Sequence, residues 1–200
     1  MTLKRVIDVF ISLLGLIILS PVFLIIAILI KIGSRDSVFF RQDRVGKDQN
    51  YFRIIKFRTM RINNEENGPQ ITVKDDNRIT PLGNYLRKYK LDELPQLINV
   101  LSGDMSLVGP RPEVPKFVEL YPVSIKKIIF SVRPGITDPA SIIFRNENEL
   151  LSQTSDPEKY YIENIMPEKL DYYVEYIENR NLLKDFTILF KTLKSVFITN

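Results

Sequence analysis

The 200-residue chain contains no cysteine, no histidine and no tryptophan. Lack of cysteine excludes thiol nucleophiles and disulfides, and lack of both cysteine and histidine excludes the common zinc sites. Imidazole acid–base chemistry goes with them. Any acid, base, nucleophile or metal ligand must therefore come from Asp, Glu, Lys, Tyr, Ser or Thr. Such hard oxygen donors favour magnesium, with manganese as its substitute, over zinc. The charged and hydrophobic fractions, 26% and 44%, are ordinary, and the length suits one compact domain with an appendage. A net charge of +4 points to an anionic partner: phosphate, lipid or nucleic acid.

Charge is also missing from Val9 to Ile30, VFISLLGLIILSPVFLIIAILI, between Asp8 and Lys31. Roughly twenty such residues suffice to cross a bilayer as a helix. Lys4 and Arg5 fit the start of a signal peptide, but the run is too long and no A-x-A-type site follows it. Two geometries stay open: a spanning helix, or one that bends at Ser20-Pro21 and returns to the face it left. Pro21 deletes a backbone donor and clashes with the preceding turn, which predicts a kink or break. Ser20 can bond the groups that Pro21 frees. Lys4 and Arg5 before the segment, and Lys31 and Arg35 after it, leave the positive-inside rule without a direction.

Beyond this segment the pattern is α+β and mostly helical. The expected division is a membrane helix–break–helix over 1–32 and a cytosolic catalytic domain over 33–200. SVFFRQ and YFRIIKFRTM read as two strands joined by a turn over Arg44–Asn50, a β-hairpin. The polar stretch 61–80, with Gly68-Pro69, reads as a loop. Thr80 and Pro81 open a short helix. Leu91, Leu94, Leu97, Ile98 and Leu101 keep helical spacing up to Ser102-Gly103. SLVGPRPEVP and VRPGITDPAS read as irregular ordered loops, with a helix between them over 113–131. The last third is helical, with starts at Asp156-Pro157 and Met166-Pro167. Its final stretch, from Asp185, is amphipathic with Lys191 and Lys194 beside the apolar face. That suits packing on the domain or lying in a membrane interface.

Chemistry then falls to carboxylates and cations. In KLDELPQLINV, Asp92 and Glu93 stand side by side at the mouth of a helix-like run. Acidic residues are favoured caps there, and the same end attracts a phosphate. On spacing alone the cap is the stronger reading. Lys56, Arg58, Arg87, Arg111, Arg133 and Arg145 each border a turn or helix end. Arg111 and Arg133 are held by neighbouring prolines, which suits bidentate phosphate contact. Beside a membrane segment this set suggests phosphate handling at a lipid surface, with magnesium bridging the carboxylates to a diphosphate.

The run LDELPQLINVLSGDMSLVGPRP (91–112) closely resembles the signature of bacterial sugar transferases, the monotopic polyprenyl-phosphate phosphoglycosyl transferases. The likeness extends to the apolar segment with its Ser-Pro break, to FFRQDRVGKDQNYFRIIKFRTM, to TPLGNYLRK and to VRPGIT, in matching order over most of 1–137. It implies a short, minimal form of an enzyme that moves a sugar-1-phosphate from a UDP-sugar to a polyprenyl (undecaprenyl) phosphate, releasing UMP. It implies Asp92 as the nucleophile that takes up the phosphosugar, and Glu93 as its partner in placing magnesium. Lys56, Arg58, Arg87, Arg111, Arg133 and Arg145 would bind phosphate oxygens. Ser20-Pro21 would make the membrane helix re-entrant, with the catalytic domain on the cytoplasmic face of the inner membrane. One departure stands out: after RPGIT the chain continues Asp138-Pro139-Ala140-Ser141 rather than the GWAQVNGRN frequent in the family, so the resemblance carries over the acidic pair but not the sugar or nucleotide contacts of this loop. The competing functions are a sugar-only transferase releasing UDP and a non-catalytic membrane adaptor. Nucleic acid is disfavoured as a partner, because the basic residues are scattered and no aromatic platform accompanies them.

Overall fold

A computed structural model describes residues 2–34, 36–61, 71–73 and 76–197. The Gly68-Pro69 loop and the flanking Arg35 lie outside the described residues.

The apolar segment forms one helix, α1 (Leu3–Gly33), long and apolar enough to cross a membrane. Pro21 lies inside it, and helical structure continues through the expected break. Pro21 has no N–H to give the carbonyl four residues back, at Ile17. The Ser20 hydroxyl donates to that same carbonyl at 2.8 Å, so the acceptor is satisfied within the helix.

Both halves of α1 are fastened to the rest of the chain. In the first half, Lys4 pairs with Asp185 at 2.7 Å, and Arg5 donates to the carbonyls of Leu101 and Met105, each at 3.3 Å. The buried Asp8 carboxylate accepts from the Ser106 hydroxyl at 2.8 Å and the Leu107 N–H at 3.3 Å. In the second half, Ile26 and Ile30 pack with Phe57 and Leu86, flanked by Phe23, Leu82 and Leu91. The outer surface, including Phe10, Ile17, Ile18, Leu24 and Ile25, is exposed and apolar.

The hairpin forms as expected: β1 (Phe39–Val45) pairs antiparallel with β2 (Tyr51–Phe57), with Val45 opposite Tyr51. Its first strand keeps Arg44 and Val45, which the turn reading had taken, because Val45 is buried in the core and its N–H donates to the Glu113 carbonyl. The tight connection is left to Asp48 and Gln49, both at positive φ.

Helix α2 (Pro81–Lys88) starts where Thr80 predicts, its hydroxyl accepting from the Gly83 N–H at 2.9 Å. A Cβ on Gly83 would come within 2.1 Å of the Thr59 carbonyl oxygen, so only glycine lets α2 approach the end of the hairpin. Helix α3 (Gln96–Ser102) stops at Gly103, which takes the left-handed conformation at φ 98°.

The acidic pair does not cap α3. Asp92 and Glu93 occupy a single 3₁₀ turn, Leu91–Glu93, and Pro95 separates them from the helix. Neither side chain makes a cap bond there among the described residues: Lys90, in the left-handed region, sets the turn off from α2, and both carboxylates are buried.

Two irregular-loop expectations are corrected. Ser106–Val108 (β3) and Gly135–Thr137 (β4) pair in parallel as a second two-stranded sheet. Three-residue strands leave no periodicity to read, and the surrounding Pro and Gly suggest loops. Gly109 and Gly135 permit the approach, since a Cβ on Gly135 would lie 2.1 Å from the Gly109 nitrogen.

The helix expected over 113–131 is two, α4 (Pro115–Val118) and α5 (Val123–Ile129), parted at Pro122. Asp138 caps α6 (Pro139–Ile143), which α7 (Glu147–Ser152) follows. Asp156 caps α8 (Pro157–Tyr160) as expected. The second expected start, Met166-Pro167, opens α9 (Met166–Glu178), which a π-helical turn, Tyr161–Ile165, joins to α8 without a break. The wider turn accommodates the donor that Pro167 lacks. Helix α10 (Leu182–Phe197) closes the described chain. The core gathers Val100, Met105, Val108, Phe117, Leu170 and Tyr173, and Ile188 joins it from α10.

Candidate active site

The 3₁₀ turn carries Asp92 and Glu93 into the wall of a cavity of about 790 Å³, within the usual range for ligand pockets. Both carboxylates are only 8% exposed. Lys56 reaches the cavity from β2, Arg87 from α2 and Arg111 from the segment after β3.

Glu93 is fully engaged. It accepts from Lys56 Nζ at 2.8 Å and from both Arg111 terminal nitrogens, one at 3.2 Å and one closer. Burial opposes its charge, yet Arg111 and Lys56 hold its carboxyl well below the usual range. Glu93 in turn raises Arg111. Burial pulls the Lys56 ammonium down to about 8, with Glu93 working against that fall.

Asp92 is arranged differently. Its Oδ1 is buried without a hydrogen-bond partner, the one carboxylate oxygen in that condition among the described residues. Burial, then the neighbouring Glu93 charge, push its pKa up, while Lys56, Lys90 and Arg87 oppose the rise. Adjacent carboxylates with opposite shifts are how one site separates two roles. Glu93 gathers the cations, and Asp92 keeps one carboxylate oxygen without a hydrogen bond.

The other expected cations divide. The Arg87 side chain makes no hydrogen bond or ion pair among the described residues, and its charge acts on Asp92. Arg145 also lines the cavity, just after α6. Arg58 lines the cavity but is committed to the hairpin edge, donating to the Ser37 carbonyl at 2.8 Å, the Ser37 hydroxyl at 2.6 Å and the Phe39 carbonyl at 3.3 Å. Arg133 is not in the cavity wall: it is exposed and donates to the Gly103 carbonyl at 2.7 Å, where it answers the C-terminal end of α3. Ser20 and Pro21 are absent from the lining.

The cavity lining also contains residues that the sequence did not single out. Arg44 bonds Glu113 at 3.3 Å and the Pro112 carbonyl at 3.0 Å, and the Tyr161 hydroxyl donates to Glu113 at 2.7 Å. Lys169 pairs with Glu147 and lies over the rings of Tyr161 and Phe144, 5.1 and 5.8 Å from their centroids. Their partners stand far apart in the chain, and no local pattern joins them.

Among the described residues, no three acidic side chains gather into a metal cage. Magnesium needs no such cage, since it keeps waters and takes one or two carboxylates plus substrate phosphates. Asp92 Oδ1 fits that demand; Glu93 meets it only by sharing oxygens already bonded to Arg111 and Lys56.

Comparison with known proteins adds a second line of evidence. The family model described as bacterial sugar transferase matches residues 1–199. The UDP-N-acetylgalactosamine-undecaprenyl-phosphate N-acetylgalactosaminephosphotransferase of Aeromonas hydrophila is 39% identical over 97% of this chain and 43% of its own. The exopolysaccharide production protein ExoY of Sinorhizobium fredii is 35% identical over 98% of this chain and 86% of its own. The UDP-glucose:undecaprenyl-phosphate glucose-1-phosphate transferase of Escherichia coli is 36% identical over 98% of this chain and 40% of its own. The chain thus spans less than half the length of the Aeromonas and Escherichia relatives and most of the length of ExoY.

Proposed function

The chain belongs to the bacterial sugar transferase family, and from that membership we propose that it transfers a sugar-1-phosphate from a UDP-sugar to a polyprenyl phosphate such as undecaprenyl phosphate. The products are UMP and a polyprenyl-diphosphate-linked sugar, the first membrane step of a glycan pathway. The observation that carries the reading is Asp92 Oδ1, an unpartnered carboxylate oxygen buried among cations.

In the first step Asp92 Oδ1 attacks the sugar-bearing phosphorus. A bond forms from that oxygen to phosphorus, and the bond to the bridging diphosphate oxygen breaks with its electron pair leaving on UMP. In the second, an oxygen of the acceptor phosphate attacks the same phosphorus and Asp92 departs as a carboxylate. Splitting one displacement into two is the usual gain from a carboxylate nucleophile. Arg111 and Lys56, held by Glu93, and Arg87 present positive charge to the phosphate oxygens. Magnesium, when bound by Asp92 and Glu93, would neutralise diphosphate charge and favour departure of the UMP phosphate.

The membrane placement we propose is supported by α1. Its two halves are fastened to one folded body, which favours both ends on the same side of a bilayer. We therefore take α1 as re-entrant, with its apolar outer surface in lipid and residues 33–200 as the catalytic unit on the cytoplasmic face. The exposed Leu183, Phe186 and Phe190 of α10 suit contact with the membrane interface.

Purified protein in nanodiscs, given undecaprenyl phosphate, magnesium and a panel of UDP-sugars, is expected to release UMP and form a lipid diphosphosugar. Release of UDP, with a lipid monophosphosugar, would overturn the assignment. Neither product with any donor would favour a non-catalytic adaptor.

A further inference from the structure

The four residues by which the chain departs from the family's frequent sequence, Asp138-Pro139-Ala140-Ser141, have no part in the transfer chemistry above. Asp138 is fully buried behind the cavity wall, and the half-buried Ser141 lines the cavity itself. The Ser141 N–H donates to Asp138 Oδ1 at 2.8 Å, and that bond alone caps α6. The Ser141 hydroxyl donates to the other carboxylate oxygen, Oδ2, a second bond that capping does not require. Its consequence falls on the cavity. An ionised carboxylate only accepts, so it engages the single hydroxyl proton and leaves Ser141 Oγ with lone pairs to offer. Burial pushes the Asp138 pKa up, while both bonds from Ser141 and the charges of Arg111 and Lys169 oppose the rise. An oxygen restricted to accepting repels an ionised phosphate oxygen, which brings no proton, and suits an O–H or N–H instead. Among the cavity residues of α6, α7 and the segment between them, Asn146 and Asn148 are further uncharged polar groups of the kind that reads hydroxyls and amides.

Resting on the transfer reading above, we infer that Ser141 Oγ, its proton held by Asp138, accepts a hydrogen bond from an uncharged part of the UDP-sugar and so takes part in selecting it. The group it accepts from is a sugar hydroxyl or amide, or the uracil N–H. Ser141 touches the substrate, and Asp138 is the positioning residue that fixes the direction of the bond. Lys56, Arg87 and Arg111, which reach the cavity from other elements, are left to the phosphates.

Ser141→Ala leaves the cap in place, because the N–H remains. In nanodiscs with undecaprenyl phosphate and magnesium it should raise the KM for the UDP-sugar about fivefold, with the acceptor KM and kcat unchanged. An unchanged UDP-sugar KM, or an equal rise for both substrates, overturns the proposal. Asp138→Asn keeps an acceptor for the Ser141 N–H but offers its own amide N–H to Ser141 Oγ, which turns the hydroxyl proton toward the cavity. It should raise the UDP-sugar KM at least as far, and add nothing in a chain that already carries Ser141→Ala. An equal rise with and without the Ser141 hydroxyl would make Asp138 a helix cap only and end its positioning role. Titration calorimetry with UMP, UDP-glucose and UDP-N-acetylglucosamine, in the absence of acceptor, is independent of turnover. Weaker binding of the UDP-sugars alone by Ser141→Ala puts the contact on the sugar, and weaker binding of UMP as well puts it on the uridine. Unaltered affinity for all three refutes it. A loss of affinity in a protein that transfers nothing would remove the transfer reading and keep this contact; UMP release with KM and affinities untouched by Ser141→Ala would do the reverse.

Discussion

Two groups of residues lining the cavity use charge in opposite ways. In one the charges are matched: Arg44 with Glu113, and Lys169 with Glu147, with aromatic rings beside Lys169. In the other Glu93 takes two cations, and Asp92 beside it takes none by direct bond among the described residues. On the proposed function, the matched group holds shape and selects by fit, and the unmatched one receives the charge that arrives with substrate.

The sharpest way to break this contrast is Asp92→Asn, which keeps shape and removes the charged oxygen. Turnover should fall on the order of 10³-fold or more, with circular dichroism and melting temperature preserved. Survival of transfer in that variant would end the nucleophile assignment. Arg111→Ala should come next, because it strands Glu93. It should cost about 3 kcal/mol of stability in denaturant titration, the low end for a broken buried pair because Arg111 keeps some exposure. It should also lower turnover strongly.

A smaller effect is expected from pH. The Lys56 ammonium, with a pKa of about 8, is charged below that value and neutral above it. Turnover should decline as pH rises through about 8, and Lys56→Arg, which keeps its charge, should move that limb upward. An identical profile in both proteins would sink the idea. The smallest change belongs to the matched group. Tyr161→Phe removes one hydrogen bond to Glu113 and should cost about 1 kcal/mol of stability. It should raise the donor KM a few-fold with kcat unchanged; a fall in kcat alone would place Tyr161 with the reacting groups instead.

Local chemistry was legible in the sequence where it acts over a few residues. Thr80 and Asp156 cap the helices they precede, Gly103 ends α3, and the hairpin forms around Arg44–Asn50 with its first strand extended. The same logic misled at Asp92, where an acidic residue ahead of an apolar run is a good cap by spacing. The left-handed Lys90 and the intervening Pro95 make it a buried carboxylate instead. Features joined across the chain could not be read at all. β3 finds β4 some thirty residues away, and Tyr161 finds Glu113 across 48 positions. Arg133 illustrates the opposite error, since proline-stiffened backbone was taken as pointing an arginine at phosphate. It points at a helix end.

The double fastening of α1 also has a mechanical meaning. A tail anchor behaves as a tether, and a domain on a tether samples a range of heights above the lipid. Lys4 and Asp8 at one end of α1, with Ile26 and Ile30 toward the other, make it a keel. In the proposed orientation the depth to which that keel sinks fixes how far Asp92 stands from the headgroup plane. On the proposed function, each acceptor phosphate then meets the carboxylate at one height.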